Sequence, residues 1–116
     1  MGARSPLNRR EARAGAVFEA LADPTRRTVL SMVGDEGPIT ATELAARLPV
    51  SRQAVAKHLE TLRTAGLVEG QRTGREQHWT VVPAPLADAS AWIEATGRRW
   101  DERLAALRRR VAMRRR

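Results

Sequence analysis

Four residues in the middle of the chain have side chains that can contact DNA, three of them at the edges of paired bases. Arg52 can reach guanine and Gln53 adenine through paired hydrogen bonds, and Ala56 can contact a thymine methyl group. Lys57, one helical turn beyond Gln53, is better placed for a phosphate. This set favours a helix that lies in a groove of DNA, although the same polar face could equally be solvated surface.

The residues on either side of this set could act on phosphates. Ser51 precedes the helix, where its hydroxyl can cap the first turn while neighbouring N–H groups hold a phosphate. His58 either packs on the helix pair or touches a phosphate. Both are included in the predicted DNA-binding surface.

A second basic cluster follows in a predicted hairpin. Residues 67–68 and 77–81 favour two short strands, and the glycine-bounded stretch 70–75 between them predicts the turn. A solvated turn has no need of two arginines, whereas a wing that lies along a groove does. The tip residues predicted to contact DNA are Arg72, Thr73, Gly74 and Arg75.

Helix-starting signals divide the first half of the chain. A helix often begins after a residue whose side chain accepts a hydrogen bond from an N–H of the first turn. Proline suits the first helical position, and a glutamate three residues after the capping residue completes a capping box. Gly66 sits where a left-handed glycine would end the fourth helix. The starting signals are Asp23 with Pro24, Thr40 with Glu43, and Ser51.

These elements predict one mainly α (α+β) domain, a winged helix-turn-helix. The predicted order is helix, helix, a one-residue strand at Ile39, helix, helix, strand, wing, strand and a last helix from about Leu86. The domain is predicted over residues 14–111. A disordered basic arm at 1–13 and a basic tail at 112–116 are expected to flank it.

The composition narrows the classes of function. Of 116 residues, 21 are Lys or Arg and 13 are Asp or Glu, which gives a formal charge of +8 and favours a polyanionic partner. Part of this excess lies in the C-terminal arginines, which could instead serve solubility.

There is no cysteine, so disulfides, thiolate metal sites and a cysteine nucleophile are excluded. Without a long apolar run or a signal segment, the chain is predicted to be soluble and cytoplasmic, with no membrane partner.

Several segments resemble, in the same order, the ArsR/SmtB family of winged helix-turn-helix transcriptional regulators. LADPTRR at 21–27 is similar to the opening motif of that family, and VSRQAVAKHL at 50–59 to its recognition helix. Residues 65–68 and 74–75 continue the similarity through the wing, over roughly 15–107 in all. The resemblance implies a homodimer, built by the first and last helices, that represses by binding a near-palindromic operator in double-stranded DNA.

The metal sites of that family are not expected in this chain. A thiolate site in the third helix would need cysteines, and residues 43–48 read ELAARL. A site in the last helix would need histidine beside its carboxylates, and that helix has none. A site made by His58 and His78 is poorly supported, so neither a metal nor a cofactor is predicted. The carboxylates of the last helix are Asp88, Glu94, Asp101 and Glu102.

The last helix also carries two of the four aromatic residues of the chain, which has three Trp and one Phe. Trp92 and Trp100 fall roughly on one side of the helix, and a small domain has little interior for two such rings. Aromatic side chains are favoured in homodimer interfaces, and tryptophan here also resembles the branch of the family without metal sites. The predicted dimer interface comprises Phe18, Leu21, Trp92, Ile93, Trp100, Leu104 and Leu107.

Two other functions stay open at this point. A winged helix can bind RNA or a protein partner instead of duplex DNA, and a small-molecule effector could bind between the two tryptophans. An enzyme is not expected, because Asp101 and Glu102 are adjacent on a helix and point to different sides. The operator, the regulated genes and the inducing signal are not specified by the sequence.

Overall fold

The computed structural model describes the backbone of residues 6–114 and the side chains of residues 9–114. Within that range the protein is helix-rich with one two-stranded antiparallel sheet, which confirms the predicted fold class. The elements are α1 (Pro6–Ala20), α2 (Pro24–Glu36), α3 (Ala41–Ala45), α4 (Arg52–Thr64), β1 (Val68–Thr73), β2 (Glu76–Val81) and α5 (Ala84–Arg114).

The first helix is longer than predicted. Residues 6–13 belong to α1, whereas the sequence analysis assigns them to a disordered arm, and residues 1–5 of that arm lie outside the described residues. Ala14 and Val17 are buried on one face of α1. Arg, Glu and Ala are good helix formers, so the helix extends from this packed turn toward the N-terminus. The arm is therefore corrected to helix over 6–13.

The last helix also exceeds its predicted bounds. α5 begins before Leu86, with Pro85 in its first turn, where a missing N–H removes no helical hydrogen bond. It continues through the predicted basic tail as far as residue 114, because Ala, Met and Arg give no signal to stop. Residues 115–116 of that tail lie outside the described residues. No helix in the described part of the chain, α5 included, is long and apolar enough to cross a membrane.

Three helices begin at the predicted capping residues. Asp23 accepts a hydrogen bond from a first-turn N–H of α2 at 3.0 Å, and Ser51 accepts one from α4 at 3.1 Å. Thr40 and Glu43 form the complete capping box, with backbone-to-side-chain distances of 3.1 and 3.2 Å. The predicted starts of α2, α3 and α4 are confirmed.

Two glycines with left-handed backbone form the connections around the hairpin. Gly66, with φ of +80°, follows α4, and the N–H of Leu67 donates to the carbonyl of Leu62 at 2.9 Å, which satisfies the end of the helix. Gly74, with φ of +64°, takes the first position of a two-residue turn, where a type II′ turn places glycine. This turn is tighter than the loop predicted over 70–75, so the strands pair almost to the tip.

The hairpin is tied to the helices through Trp79. The N–H of Ile39 donates to the Trp79 carbonyl at 3.2 Å, and the N–H of Trp79 donates to the Ile39 carbonyl at 2.8 Å. This isolated bridge is the short strand contact expected at Ile39. Both side chains join the core, whose largest fully buried members are Val17, Val29, Val33, Leu44, Val55, Leu59, Leu62 and Leu67.

Loss of the capping box at α3 should measurably weaken the domain. We expect Thr40→Ala to lower the free energy of unfolding by about 1–2 kcal/mol, because it removes the acceptor for a helix-terminal N–H. Thr40→Ser keeps the hydroxyl and should lose less than half as much. Urea unfolding followed by circular dichroism measures both. Equal losses for the two variants would mean that packing of the Thr40 methyl group, and not the cap, supplies the stability.

Candidate nucleic-acid interface

The fourth helix separates its apolar and polar side chains onto two faces. Val55, Leu59 and Leu62 have no exposed surface and pack into the core with residues of α2 and α3. Gln53 and Lys57 are exposed on the opposite side of the helix. Core packing of one face therefore holds the predicted reading residues toward solvent.

Arg52 is positioned by a residue of α3. Its Nε donates to Thr42 Oγ1 at 2.9 Å, across the turn that joins the two helices. With Nε engaged, the two terminal nitrogens of the guanidinium remain for a further partner, and such a fork matches the acceptor pair of guanine. Thr42 could not be predicted from the sequence, because no local pattern marks a contact between residues ten apart.

Alternation along the hairpin divides the tip residues between its two faces. Trp79 is buried against the helices, so Gln77, two residues before it, and its cross-strand partner Arg72 lie on that same face. Thr73 lies on the opposite face, and Gly74 forms the turn. The predicted tip residues are all exposed, but they do not all point toward α4.

Three arginines meet at one cleft between the start of α4 and the hairpin. Arg52 from the helix, Arg72 from β1 and Arg75 from the turn all line it, and its volume is about 380 Å³. Ala56 and Thr42 form part of its wall on the helical side. The structure thus brings the predicted reading helix and the predicted wing together on a single surface.

Two carboxylates, Glu60 and Glu76, also line this cleft. Arg63 forms an ion pair with Glu60 one turn along α4, and their hydrogen bond lowers the pKa of Glu60 and raises the pKa of Arg63. Glu60 stays ionised but is neutralised by its neighbour. The three arginines therefore retain an excess of positive charge in the cleft.

His58 lies apart from the cleft. It does not line the cleft, and its side chain is half-buried. A hydrogen bond from the Arg26 N–H lowers the pKa of Asp23 below its usual value, and a smaller electrostatic effect of His58 acts in the same direction, so His58 lies near the N-cap of α2. This position favours packing on the helix pair, the other role considered for His58, and its contact with a phosphate stays a prediction.

No three side chains of the His, Cys, Asp or Glu types converge on a possible metal position within the described range. His78 is half-buried on β2, where its cross-strand partner is Gln71, on the same face of the hairpin as Thr73. It is thus on the face opposite the arginine cleft. The expectation that no metal or cofactor is bound stays a prediction.

Part of the predicted dimer surface is used inside the protomer. Phe18 of α1 and Trp92 of α5 pack edge to face, with ring centroids 5.5 Å apart. Phe18 and Leu21 are half-buried against the core. This packing joins α1 to α5 within a single chain.

Further along α5, large apolar side chains are uncovered. Ile93 is 54% exposed, Trp100 57% and Leu107 56%, and Leu104 and Val111 are also exposed. Large apolar side chains rarely stay exposed as a contiguous set on a monomer, so this side of α5 has the character of an interface.

A capped helix pair whose second helix shares a basic cleft with an antiparallel hairpin defines a winged-helix DNA-binding protein. Residues 21–71 match the model of a helix-turn-helix domain family. The solved structure of an ArsR-like transcriptional regulator from Rhodococcus sp. RHA1 is 44% identical in sequence and similar in fold, with a TM-score of 0.74. That likeness covers 84% of this chain and 91% of the Rhodococcus chain.

Two relatives in Bacillus subtilis (strain 168) are also similar. The uncharacterized HTH-type transcriptional regulator YuzN is 38% identical over 86 residues, which are 68% of this chain and 94% of that protein. The transcriptional repressor SdpR is 30% identical over 77 residues, which are 66% of this chain and 84% of that protein. The chain belongs to the ArsR family of winged helix-turn-helix regulators. It is a DNA-binding transcription regulator.

Proposed function

We propose that this protein is a homodimeric repressor that binds a near-palindromic operator through α4 and the hairpin. The observation that carries the proposal is the cleft where Arg52, Arg72 and Arg75 meet. The formal charge of +8 suits a polyanionic partner. The similarity to SdpR, a transcriptional repressor by name, supports repression as the direction of control.

In this proposal α4 enters the major groove with its N-terminal turn foremost, as the second helix of a helix-turn-helix does. Arg52 pairs with guanine, Gln53 with adenine, and the Ala56 methyl group contacts thymine. Lys57 and the N–H groups that follow Ser51 bind phosphates, which fixes the register of the helix on the duplex.

The hairpin supplies contacts of a different kind. Arg72 and Arg75 grip the adjacent minor groove or the sugar–phosphate backbone, where charge matters more than base identity. Their position in the same cleft as Arg52 supports simultaneous contact by helix and wing. Thr73 and Gly74 contribute through the shape of the tip.

The exposed side of α5 supports the homodimer. Burial of Ile93, Trp100, Leu104 and Leu107 against a second chain would remove apolar surface from water, worth roughly 25 cal/mol per Å². In this dimer a two-fold axis would relate the two copies of α4, which would enter successive turns of the major groove about 34 Å apart. A near-palindromic operator follows from that symmetry.

Regulation by a small molecule between the tryptophans has little support from the packing. Trp92 is already in contact with Phe18, and Arg103 lies over the Trp100 ring at 5.6 Å. Neither a metal nor a cofactor is part of the proposal, and the proposal includes a cytoplasmic location.

Selection of bound duplexes from a random DNA pool, with RNA as competitor, tests the proposal as a whole. Failure to enrich any sequence would refute it.

Arg52 and Thr42 should act together in base recognition. Arg52→Ala is expected to weaken binding to the selected operator by about 1–3 kcal/mol and to relax selectivity at one base pair. Thr42→Val keeps the shape but loses the acceptor for Arg52 Nε, so it should relax selectivity at that same base pair. Thr42→Ser retains the acceptor and serves as the control. Repeating the selection with each variant gives the readout; an unchanged preference in Arg52→Ala would contradict the assignment.

Arg75 should contribute charge rather than base recognition. Arg75→Ala is expected to weaken binding to operator and random duplexes alike and to reduce the salt dependence of log K by about 1. Arg75→Lys keeps the charge and should retain most of the affinity. Titrations over a series of salt concentrations measure the slope. Selective loss of operator binding alone would instead make Arg75 a base-reading residue.

Disruption of the α5 surface should separate the protomers. Trp100→Glu places a charge on the exposed apolar side and should yield monomers in sedimentation equilibrium, with loss of operator affinity. Ala91→Glu, an exposed position on the other side of the same helix, is the matched control and should stay dimeric. A Trp100→Glu protein that sediments as a dimer would move the interface elsewhere.

A further inference from the structure

The net positive charge of the protein is concentrated near the carboxyl-terminal end of the chain. Residues 98–116 hold nine of the 21 Lys and Arg residues but only two of the 13 Asp and Glu residues. Residues 1–97 keep 12 basic and 11 acidic residues, so they contribute only +1 to the formal charge of +8. The helix-turn-helix and the hairpin are therefore nearly neutral as a whole, although three arginines meet in their cleft.

Much of this charge stands on a part of α5 that the rest of the domain does not cover. From residue 98 to residue 114 every side chain is exposed, apart from the half-buried Ala105 and Ala106. None of these described residues lines the cleft between α4 and the hairpin. Over about 25 Å of its length, α5 thus presents arginines to solvent on a surface separate from that cleft.

Four of these arginines share one side of α5. They follow one another at spacings of four, seven and four residues, which return to nearly the same direction in a helix of 3.6 residues per turn. The arginine stripe consists of Arg99, Arg103, Arg110 and Arg114. Its two middle members each precede an exposed apolar residue, Leu104 or Val111, by one position. The stripe therefore lies about 100° around the helix from the exposed apolar side chains.

The stripe is unfavourable for the helix that carries it. It contains two pairs of like charges four residues apart, Arg99 with Arg103 and Arg110 with Arg114. Such pairs destabilise a helix, and attraction to the negative end of the helix dipole reaches only the last turn. Arg103 also lies over the Trp100 ring, but within residues 9–114 no arginine of the stripe forms an ion pair. The repulsion thus has no charge compensation inside the protomer.

The backbone of duplex DNA fits this stripe as a partner. The stripe spans about 22 Å along the helix axis, a length over which one strand of a duplex presents roughly six phosphates. Guanidinium groups form paired hydrogen bonds with phosphate oxygens. Sequence-independent binding to DNA is almost wholly electrostatic, and the nearly neutral remainder of the chain supplies little of it. Membership of a DNA-binding family favours duplex DNA over other polyanions.

We propose that the arginine stripe of α5 is a second DNA-contacting surface, which binds the phosphate backbone of a duplex regardless of its sequence. The cleft at α4 then selects the site, and the stripe supplies affinity for any duplex. The inference goes beyond the operator binding proposed above and does not depend on it. It assigns a function to C-terminal arginines that the composition alone leaves open between DNA binding and solubility.

Two double variants that remove equal charge from α5 test the proposal. Arg103→Gln with Arg110→Gln takes two charges from the stripe. Arg98→Gln with Arg109→Gln takes two charges from a different side of the same helix and is the matched control. Glutamine and arginine are similar helix formers, so the helix content in circular dichroism should not fall. Binding to a duplex of random sequence is then measured over a series of salt concentrations.

The stripe variant should bind the random duplex about tenfold more weakly at about 0.1 M salt. Its slope of log K against log salt should be smaller by about 2, because two phosphate contacts are lost. The control variant should show less than half of either change. Arg103→Lys with Arg110→Lys keeps the charge and should retain most of the affinity.

Several results would overturn the inference. Equal losses in the two glutamine variants would mean that net charge acts at a distance, and no loss in either would leave the arginines to solubility. Loss of binding to RNA or to vesicles of anionic phospholipid, with duplex binding unchanged, would assign the stripe to a different polyanion.

The same measurements separate this surface from the cleft. The stripe variant should keep the base preference of the wild type in selection from a random DNA pool, whereas Arg52→Ala should lose it and still bind random duplexes. If no sequence is enriched, the operator proposal fails, and the difference between the two glutamine variants still decides the role of the stripe.

Discussion

The geometry of the binding surface depends on the packing of Trp79. Its side chain is buried in the core that α4 also completes, and its backbone pairs with Ile39 just before α3. A two-stranded hairpin is marginal in isolation, so this anchor supplies the rigidity that the strands lack. Since side chains alternate along a strand, fixing Trp79 toward the helices also turns Arg72 toward α4.

A few contacts also hold α4, the proposed reading helix, in place. Its inner face is fully buried, its N-terminus is capped by Ser51, and Arg52 is restrained by Thr42 on the preceding helix. These contacts leave the outer face of α4 free while limiting how far it can move. The ion pair between Glu60 and Arg63 neutralises one negative charge at the surface that we propose to contact phosphates. Orientation and charge on α4 are thus set by separate local contacts.

The large apolar side chains that stay exposed among the described residues lie on α5. Contacts between Phe18 and Trp92 join α5 to α1, but the apolar residues further along have no cover within the protomer. Exposed apolar side chains of this size are unfavourable in water, and the proposed homodimer would cover them. A symmetric partner would complete that core and, by its symmetry, set the spacing of the two reading helices.

The sequence by itself determined what depends on near neighbours. The caps at Asp23, Thr40 and Ser51 act through acceptors within one turn, and apolar spacing fixed the inner face of α4, so these features could be predicted together with the winged-helix class. The arginines at its tip predicted the role of the hairpin, and the family resemblance added the expected homodimer and operator.

Only the tertiary structure decided the contact of Arg52 with Thr42 and its meeting with Arg75 in one cleft. The half-buried position of His58 beside Asp23 also emerged only there. Each of these depends on surfaces from distant parts of the chain that meet after folding. Packing between distant residues stabilises these arrangements, so no local pattern in the sequence predicts them.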